Sequence, residues 1–281
     1  MQLGSGARKW MFGVFSVALV VFGLAGPAAA RAGVPFVNLD GVGGVAFNPL
    51  AYPAGNPDGA KLGPIEMAKP TVGTWYVNLN QSEIDWHTMG VATSFNKRLE
   101  LSYGYETIAI NGVLTIRKHN VGAKLLVLPE NSFGTAFVPA IAVGAVYKNA
   151  NLPENGSGVE YYLVATKVVT QLPRPVLLSA GALYSKATVD GVTGFTEEDA
   201  ELTFYGNIDI VATDWLAVGA EVKQGPKYAN GYEDALYYNV HAGWLVTGST
   251  TLAVAYAHPG KKCADPVGFG KGVVFGLHHV F

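Results

Sequence analysis

Seven charged residues stand in alternating patterns where a strand turns one face toward a shared interior: Glu100, Glu106, Lys124, Lys167, Asp209, Glu221 and Lys223. In LELSYGYETIAI, Leu99, Leu101, Tyr103 and Tyr105 take one face, and Glu100, Ser102, Gly104 and Glu106 take the other. LAVGAEVK separates Leu216, Val218, Ala220 and Val222 from Gly219, Glu221 and Lys223 in the same way. Successive side chains of a strand point to opposite sides, so each charge is set against an aliphatic face. Charges of both signs around one interior can form a constriction that selects small polar solutes by size and field. They can equally neutralise one another and pin the walls together.

Other chemistries find little support. No GxSxG is present, and no short motif ties a serine to any of the six histidines, so nucleophilic catalysis lacks its base. His278 and His279 are adjacent and, in a strand, face opposite ways, so they do not share a metal ion. Glu197, Glu198 and Asp199 read as a solvated loop rather than a cation site. GVGGVAF lacks the preceding strand and following helix that would make it a nucleotide loop. Cys263 is the single cysteine, which excludes an intrachain disulfide and a cysteine metal cluster. A net charge of -2 offers no basic surface for nucleic acid. No cofactor or metal is implied, and the chain is not read as an enzyme.

Two-residue alternation runs through the chain from Thr71 onward, in twelve stretches: near 71–80, 84–95, 99–110, 119–128, 135–147, 159–170, 175–187, 201–213, 215–224, 235–247, 250–258 and 270–281. Most exceed the ~5–6 residues of an ordinary globular strand and match the ~9–11 tilted residues that cross a bilayer. The connections after the even-numbered runs, such as NKR, PENSFG, QLPR, TDW and TGS, are short. Most alternate ones are longer: NGVLTIRK, NANLPENGSG, TVDGVTGFTEEDA, GPKYANGYED and the region around HPGKKCADPVGF, with QSE the exception. Short turns at one end, longer loops at the other and an even strand number describe a closed antiparallel transmembrane β-barrel.

Composition agrees with that reading. Only 14% of the 281 residues are charged, against about 25% for a soluble domain. The faces opposite the aliphatic ones are mostly Gly, Ala, Ser and Thr, too lean to solvate a sandwich. Closure satisfies every backbone group, as lipid demands, and leaves no open edge. Trp75, Tyr103, Tyr105, Tyr162, Tyr184, Trp215, Tyr238, Trp244 and Tyr256 are expected to supply interfacial girdles.

The first thirty residues form a signal peptide: Arg8 and Lys9, then MFGVFSVALVVFGLAG, then small residues before a cleavage point after Ala30 or Ala32. Residues 31–70 are rich in proline and glycine and predict an irregular segment with at most a short strand or helical turn. The segment either threads the barrel as a plug or hangs in the periplasm, which decides whether a pore conducts. The barrel proper is 71–281.

The chain ends GKGVVFGLHHVF, with Val273, Phe275, Leu277 and the terminal Phe281 in a two-residue repeat. This resembles the C-terminal signature of Gram-negative outer-membrane β-barrels, although His279 stands where an apolar residue is commoner. GVGGVAFNPLAYPAG is likewise similar to exported proteobacterial barrel families of no assigned function. The resemblance implies an outer-membrane location, a last strand paired with the first, and recognition by the barrel-assembly machinery. Partners are then outer-membrane lipid, that machinery and small solutes, with no nucleic acid. The expected function is a narrow channel for passive diffusion of small solutes, which requires an interior that is not closed. A non-conducting structural, assembly or polymer-export barrel is the alternative, and an embedded lipid-modifying enzyme the third.

Overall fold

The structure, a computed structural model, describes residues 36–79, 83–110, 114–151, 156–185, 200–225, 236–258 and 270–281. The stretch expected to be a signal peptide (residues 1–30), the acidic run at 197–199 and Cys263 lie outside those residues. Four short strands come first: β1 (Phe36–Val37), β2 (Gly43–Gly44), β3 (Asn56–Leu62) and β4 (Ile65–Lys69). Twelve longer ones follow: β5 (Thr71–Leu79), β6 (Ile84–Phe95), β7 (Leu99–Ile110), β8 (Leu114–Leu128), β9 (Ala140–Ala150), β10 (Ser157–Val169), β11 (Val176–Ser185), β12 (Glu201–Thr213), β13 (Leu216–Gln224), β14 (Leu236–Leu245), β15 (Thr250–His258) and β16 (Gly272–Val280).

Each of β5 to β16 pairs antiparallel with its sequence neighbours. β16 closes the ring on β5, from Val273 opposite Asn78 to Val280 opposite Thr71. The result is a closed twelve-stranded antiparallel barrel. Leu99, Leu101 and Tyr103 of β7 are exposed on the outside, whereas Glu100, Ser102 and Glu106 are buried inside. Val273, Phe275 and Leu277 face outward on β16, and Phe281 is exposed at its end. Tyr103, Tyr184, Tyr238, Trp244 and Tyr256 likewise point outward, but Trp75 and Tyr162 do not. They turn into the barrel, so parity rather than residue type sets where an aromatic goes.

Two connections differ from expectation. β8 begins at Leu114, so NGVLTIRK shrinks to residues 111–113. Along that added length and at His119, the first residue of the expected run, Thr115, Arg117 and His119 face out while Ile116 and Lys118 face in, inverting the greasy-outside pattern. A strand can do this where it rises past the hydrocarbon and its outer face meets polar surroundings. β9 starts at Ala140, so the preceding connection extends over 129–139 and carries a 3-10 turn, Ser132–Gly134. The last residues of β11, β13 and β15 and the first of β12, β14 and β16, which longer connections join, lie at one end of the barrel.

The segment ahead of β5 holds more order than its composition predicts. β3 and β4 form a hairpin around Gly63, whose φ of +63° suits the turn. β4 prolongs β5 past Pro70 and meets β6 at Met67 opposite Phe95, extending the wall beyond the short-connection rim. Nearly every side chain of β3 is exposed, so no apolar alternation announced it.

Candidate functional site

Residues 36–55 fill the barrel. Among them Val37, Asn38, Val42, Asn48, Leu50, Ala51 and Ala54 are buried. The segment enters beside β16, where the Phe36 ring lies 4.9 Å from that of His278, turns back in mid-barrel, and leaves past Glu100 into β3. It can lie this close because the wall is bare where it touches. Gly73, Gly90 and Gly104 are cross-strand neighbours on β5, β6 and β7. A Cβ at Gly104 would stand 2.3 Å from the Asp40 carbonyl oxygen, and one at Gly90 2.4 Å from Val37 Cγ1. Gly41, at φ +91°, lies on this floor; a Cβ there would meet Gly104 Cα at 2.6 Å. Only glycine tolerates both the left-handed backbone and that approach.

Charged wall residues hold the segment by its main chain. Glu100 accepts from the Gly43 N–H at 2.9 Å and the Ala54 N–H at 2.6 Å. Lys124 lies 2.8 Å from Glu100 and donates to the Gly43 carbonyl at 2.9 Å. Across the barrel Glu221 accepts from the N–H groups of Ala46, Phe47 and Asn48 at 3.0 to 3.2 Å, and from Asn239 Nδ2 at 2.8 Å. Thr166 takes the Ala51 N–H, and Trp75 Nε1 donates to the Val37 carbonyl at 2.7 Å. The segment's own carboxylate, Asp40, pairs with Lys148 at 3.0 Å, and Lys148 also pairs with Glu160 at 3.1 Å. Burying a charge is costly unless it is paired or well hydrogen-bonded. Glu100, Lys124, Asp40, Lys148 and Glu160 stand in ion pairs, and Glu221 is met by N–H donors alone among its hydrogen bonds.

The remaining predicted residues divide. Glu106 faces inward and pairs with Lys118 at 3.1 Å. Asp209 bonds His241 at 2.6 Å, and His241 in turn reaches Asn239. Lys223 borders the gap between segment and wall. Lys167 departs from the inward placement expected of it: it shares the parity of exposed Tyr161 and Leu163. Near the rim it bonds Glu130 at 2.9 Å and Asn131 at 2.6 Å. Glu130 also accepts from the Tyr52 hydroxyl at 2.8 Å, latching the outgoing end of the segment. Lys118, Lys148 and Glu160 were missed. Lys118 and Lys148 fall just outside the expected runs at 119–128 and 135–147. Glu160 was legible, since Val159, Tyr161 and Leu163 mark the opposite face. His278 and His279 do point opposite ways, His278 inward against Trp75 and His279 toward Thr250.

Of the two placements open to the Pro/Gly-rich segment, plug or periplasmic, residues 36–55 take the first, and among the described residues the interior around them is closed. The gap beside the segment, bordered by Asp40, Phe47, Glu160, Tyr162 and Lys223, has no room for a water molecule. Toward the long-connection end, Leu79, Ile84, Ile108 and Ile116 pack with Leu39 and Ala46 at the turn of the segment. No group of three metal-ligating side chains is found among the described residues.

A family model described as "Protein of unknown function (DUF3034)" matches residues 33–266, spanning both the inserted segment and nearly all of the barrel. The chain belongs to this DUF3034 family. A comparison with curated proteins finds no match. Among solved structures the fold is similar to the KdgM porin, with TM-score 0.53 and 14% identity over 75% of this chain and 99% of that one. The KdgM porin in complex with disordered oligogalacturonate aligns at 0.51, with 13% identity over 75% and 99%. The outer membrane phospholipase A from Escherichia coli aligns at 0.44, with 10% identity over 82% and 94%. This DUF3034 chain therefore has the fold of the outer-membrane β-barrels, and such identities speak to fold alone.

Proposed function

We propose that the protein is an outer-membrane channel for small polar solutes that is shut by its own residues 36–55 and conducts when that segment swings out. The observation that carries this reading is the manner of closure. The wall is a complete barrel without the segment, and the segment is held by reversible polar contacts at Glu100, Lys124, Lys148 and Glu221 rather than woven into the ladder. Its return to the short-connection rim gives it a direction in which to withdraw. The lumen of a twelve-stranded barrel lies between the filled eight-stranded and the open sixteen-stranded cases. Bilayer residence is supported by the outward aliphatic face and the closed ladder.

A second reading is favoured by the fit itself: a gap with no room for water and three amides on one carboxylate suit a permanently filled, non-conducting barrel. Liposome swelling separates the two. Wild-type protein is expected to admit a small sugar slowly or not at all. Glu100→Ala combined with Glu221→Ala, which removes both anchors, is expected to admit it several-fold faster. Equal, negligible swelling from both folded proteins would favour the permanently filled barrel.

A further inference from the structure

The contacts between segment and wall carry a chemical description of what else the wall can bind. Three N–H donors, from Ala46, Phe47 and Asn48, converge on the buried carboxylate of Glu221. Three donors around one carboxylate is what a primary ammonium supplies. Glu100 and Lys124 together hold a single residue at both of its backbone groups, accepting from the Gly43 N–H and donating to the Gly43 carbonyl. Lys148 receives a carboxylate, that of Asp40. Asp40 and Phe47 border the same gap, so the carboxylate site and the donor-collecting site adjoin one space. The segment thus shows the wall an ammonium-like cluster, an amide and a carboxylate.

We propose that, with the segment swung out, the lumen binds short peptides with free termini: the ammonium at Glu221, a peptide unit at Glu100 and Lys124, and the carboxylate at Lys148. This rests on the channel reading for its physiological role but not for the binding itself. The wall reads backbone, and the residue held at both ends is a glycine, so selection falls on the termini and the amide rather than on side chains. On release of the segment Glu221 loses three N–H donors and Lys148 a carboxylate. A neutral sugar brings neither an ammonium nor a carboxylate to them, and a dianion meets Glu221 and Glu100 with like charge.

The test uses the full chain carrying Gly104→Val, which bars the Asp40 region from its floor while leaving all the proposed binding groups in place. Gly41→Leu, a change in the segment itself, serves if the strand substitution impairs folding. Binding of labelled trialanine is measured by equilibrium dialysis in detergent micelles, beside single-channel current in the same lipid-reconstituted variant. Free-ended trialanine is expected to bind in the millimolar range or tighter, with the acetylated and amidated form about tenfold weaker and raffinose undetectable. Adding Glu221→Gln is expected to erase the preference for the free amine. Binding without current would support the peptide site and remove the channel. Current without any preference among free peptide, capped peptide and raffinose would overturn the peptide site and leave the channel standing.

Discussion

At the scale of single residues, the account turns on buried charges that hold a main chain. Lys124 and Glu100 are both buried and 2.8 Å apart. Removing one member leaves the other unpaired, at a cost of about 3–5 kcal/mol. Lys124→Met is therefore expected to lower the denaturant midpoint of the refolded barrel strongly. The double variant Glu100→Gln/Lys124→Met is expected to recover much of the loss, because a neutral amide still accepts from Gly43. A double variant no better than the single one would show that the pair does not act as a pair. Glu221→Gln keeps the shape and weakens three charge-assisted bonds, a loss of about 1 kcal/mol or more. Hydrogen exchange at the Ala46–Asn48 amides is expected to quicken at least roughly fivefold, while β-ladder amides stay unchanged. The rim latch has a pH dependence. Burial pushes the Glu130 carboxyl up, but hydrogen bonds from Lys167, Tyr52 and the Val168 N–H outweigh it and hold it below its ordinary value. A carboxyl depressed in the folded state contributes fully above its unfolded value, and the contribution is lost as pH falls through the folded one. The stretch around Tyr52 is therefore expected to exchange faster, after correction for intrinsic rate, below about pH 4. Glu130→Gln is expected to show that faster exchange already at neutral pH.

At the scale of elements, the strands were legible and their ends were not. Alternation located all twelve, because lipid outside and a lean interior inside impose opposite demands on neighbouring residues. It failed where those demands lapse. Beyond Leu114 the outer face of β8 carries Thr115, Arg117 and His119, and the strand continues without its aliphatic signal. β3 has no buried face at all, so nothing in NPDGAKL set it apart from a loop. The inward parity of Glu100, Glu106, Lys124, Asp209, Glu221 and Lys223 followed from neighbours within the same strand, whereas the inward placement expected of Lys167 ran against its own strand, where it shares the parity of outward Tyr161 and Leu163. What they bind was hidden, since residues 36–55 have no period and meet the wall through main-chain groups that any sequence carries. The boundary on β8 can be tested. Val254→Lys, on the aliphatic outer face of β15, is expected to cost about 2–4 kcal/mol in refolding into lipid, and Thr115→Lys about 0–1 kcal/mol. Equal costs would place Thr115 within the hydrocarbon.

At the scale of the whole molecule, a single chain supplies both a closed wall and the object that fills it. Closure of β16 on β5 frees the ladder from any need for the inserted segment, and the glycine floor of Gly73, Gly90 and Gly104 lets the segment lie against it. The wall's charges satisfy the segment, and the segment satisfies the wall's charges, so release exposes Glu221, Glu100 and Lys148 together to whatever solute replaces it. The most direct measurement is single-channel current in planar bilayers for the wild-type chain and for the folded Gly104→Val variant. Silence from the wild type and discrete, uniform steps from the variant are the expected result. Steps of the same size from both would contradict closure by residues 36–55, and a variant that seats no segment yet stays silent would contradict the channel.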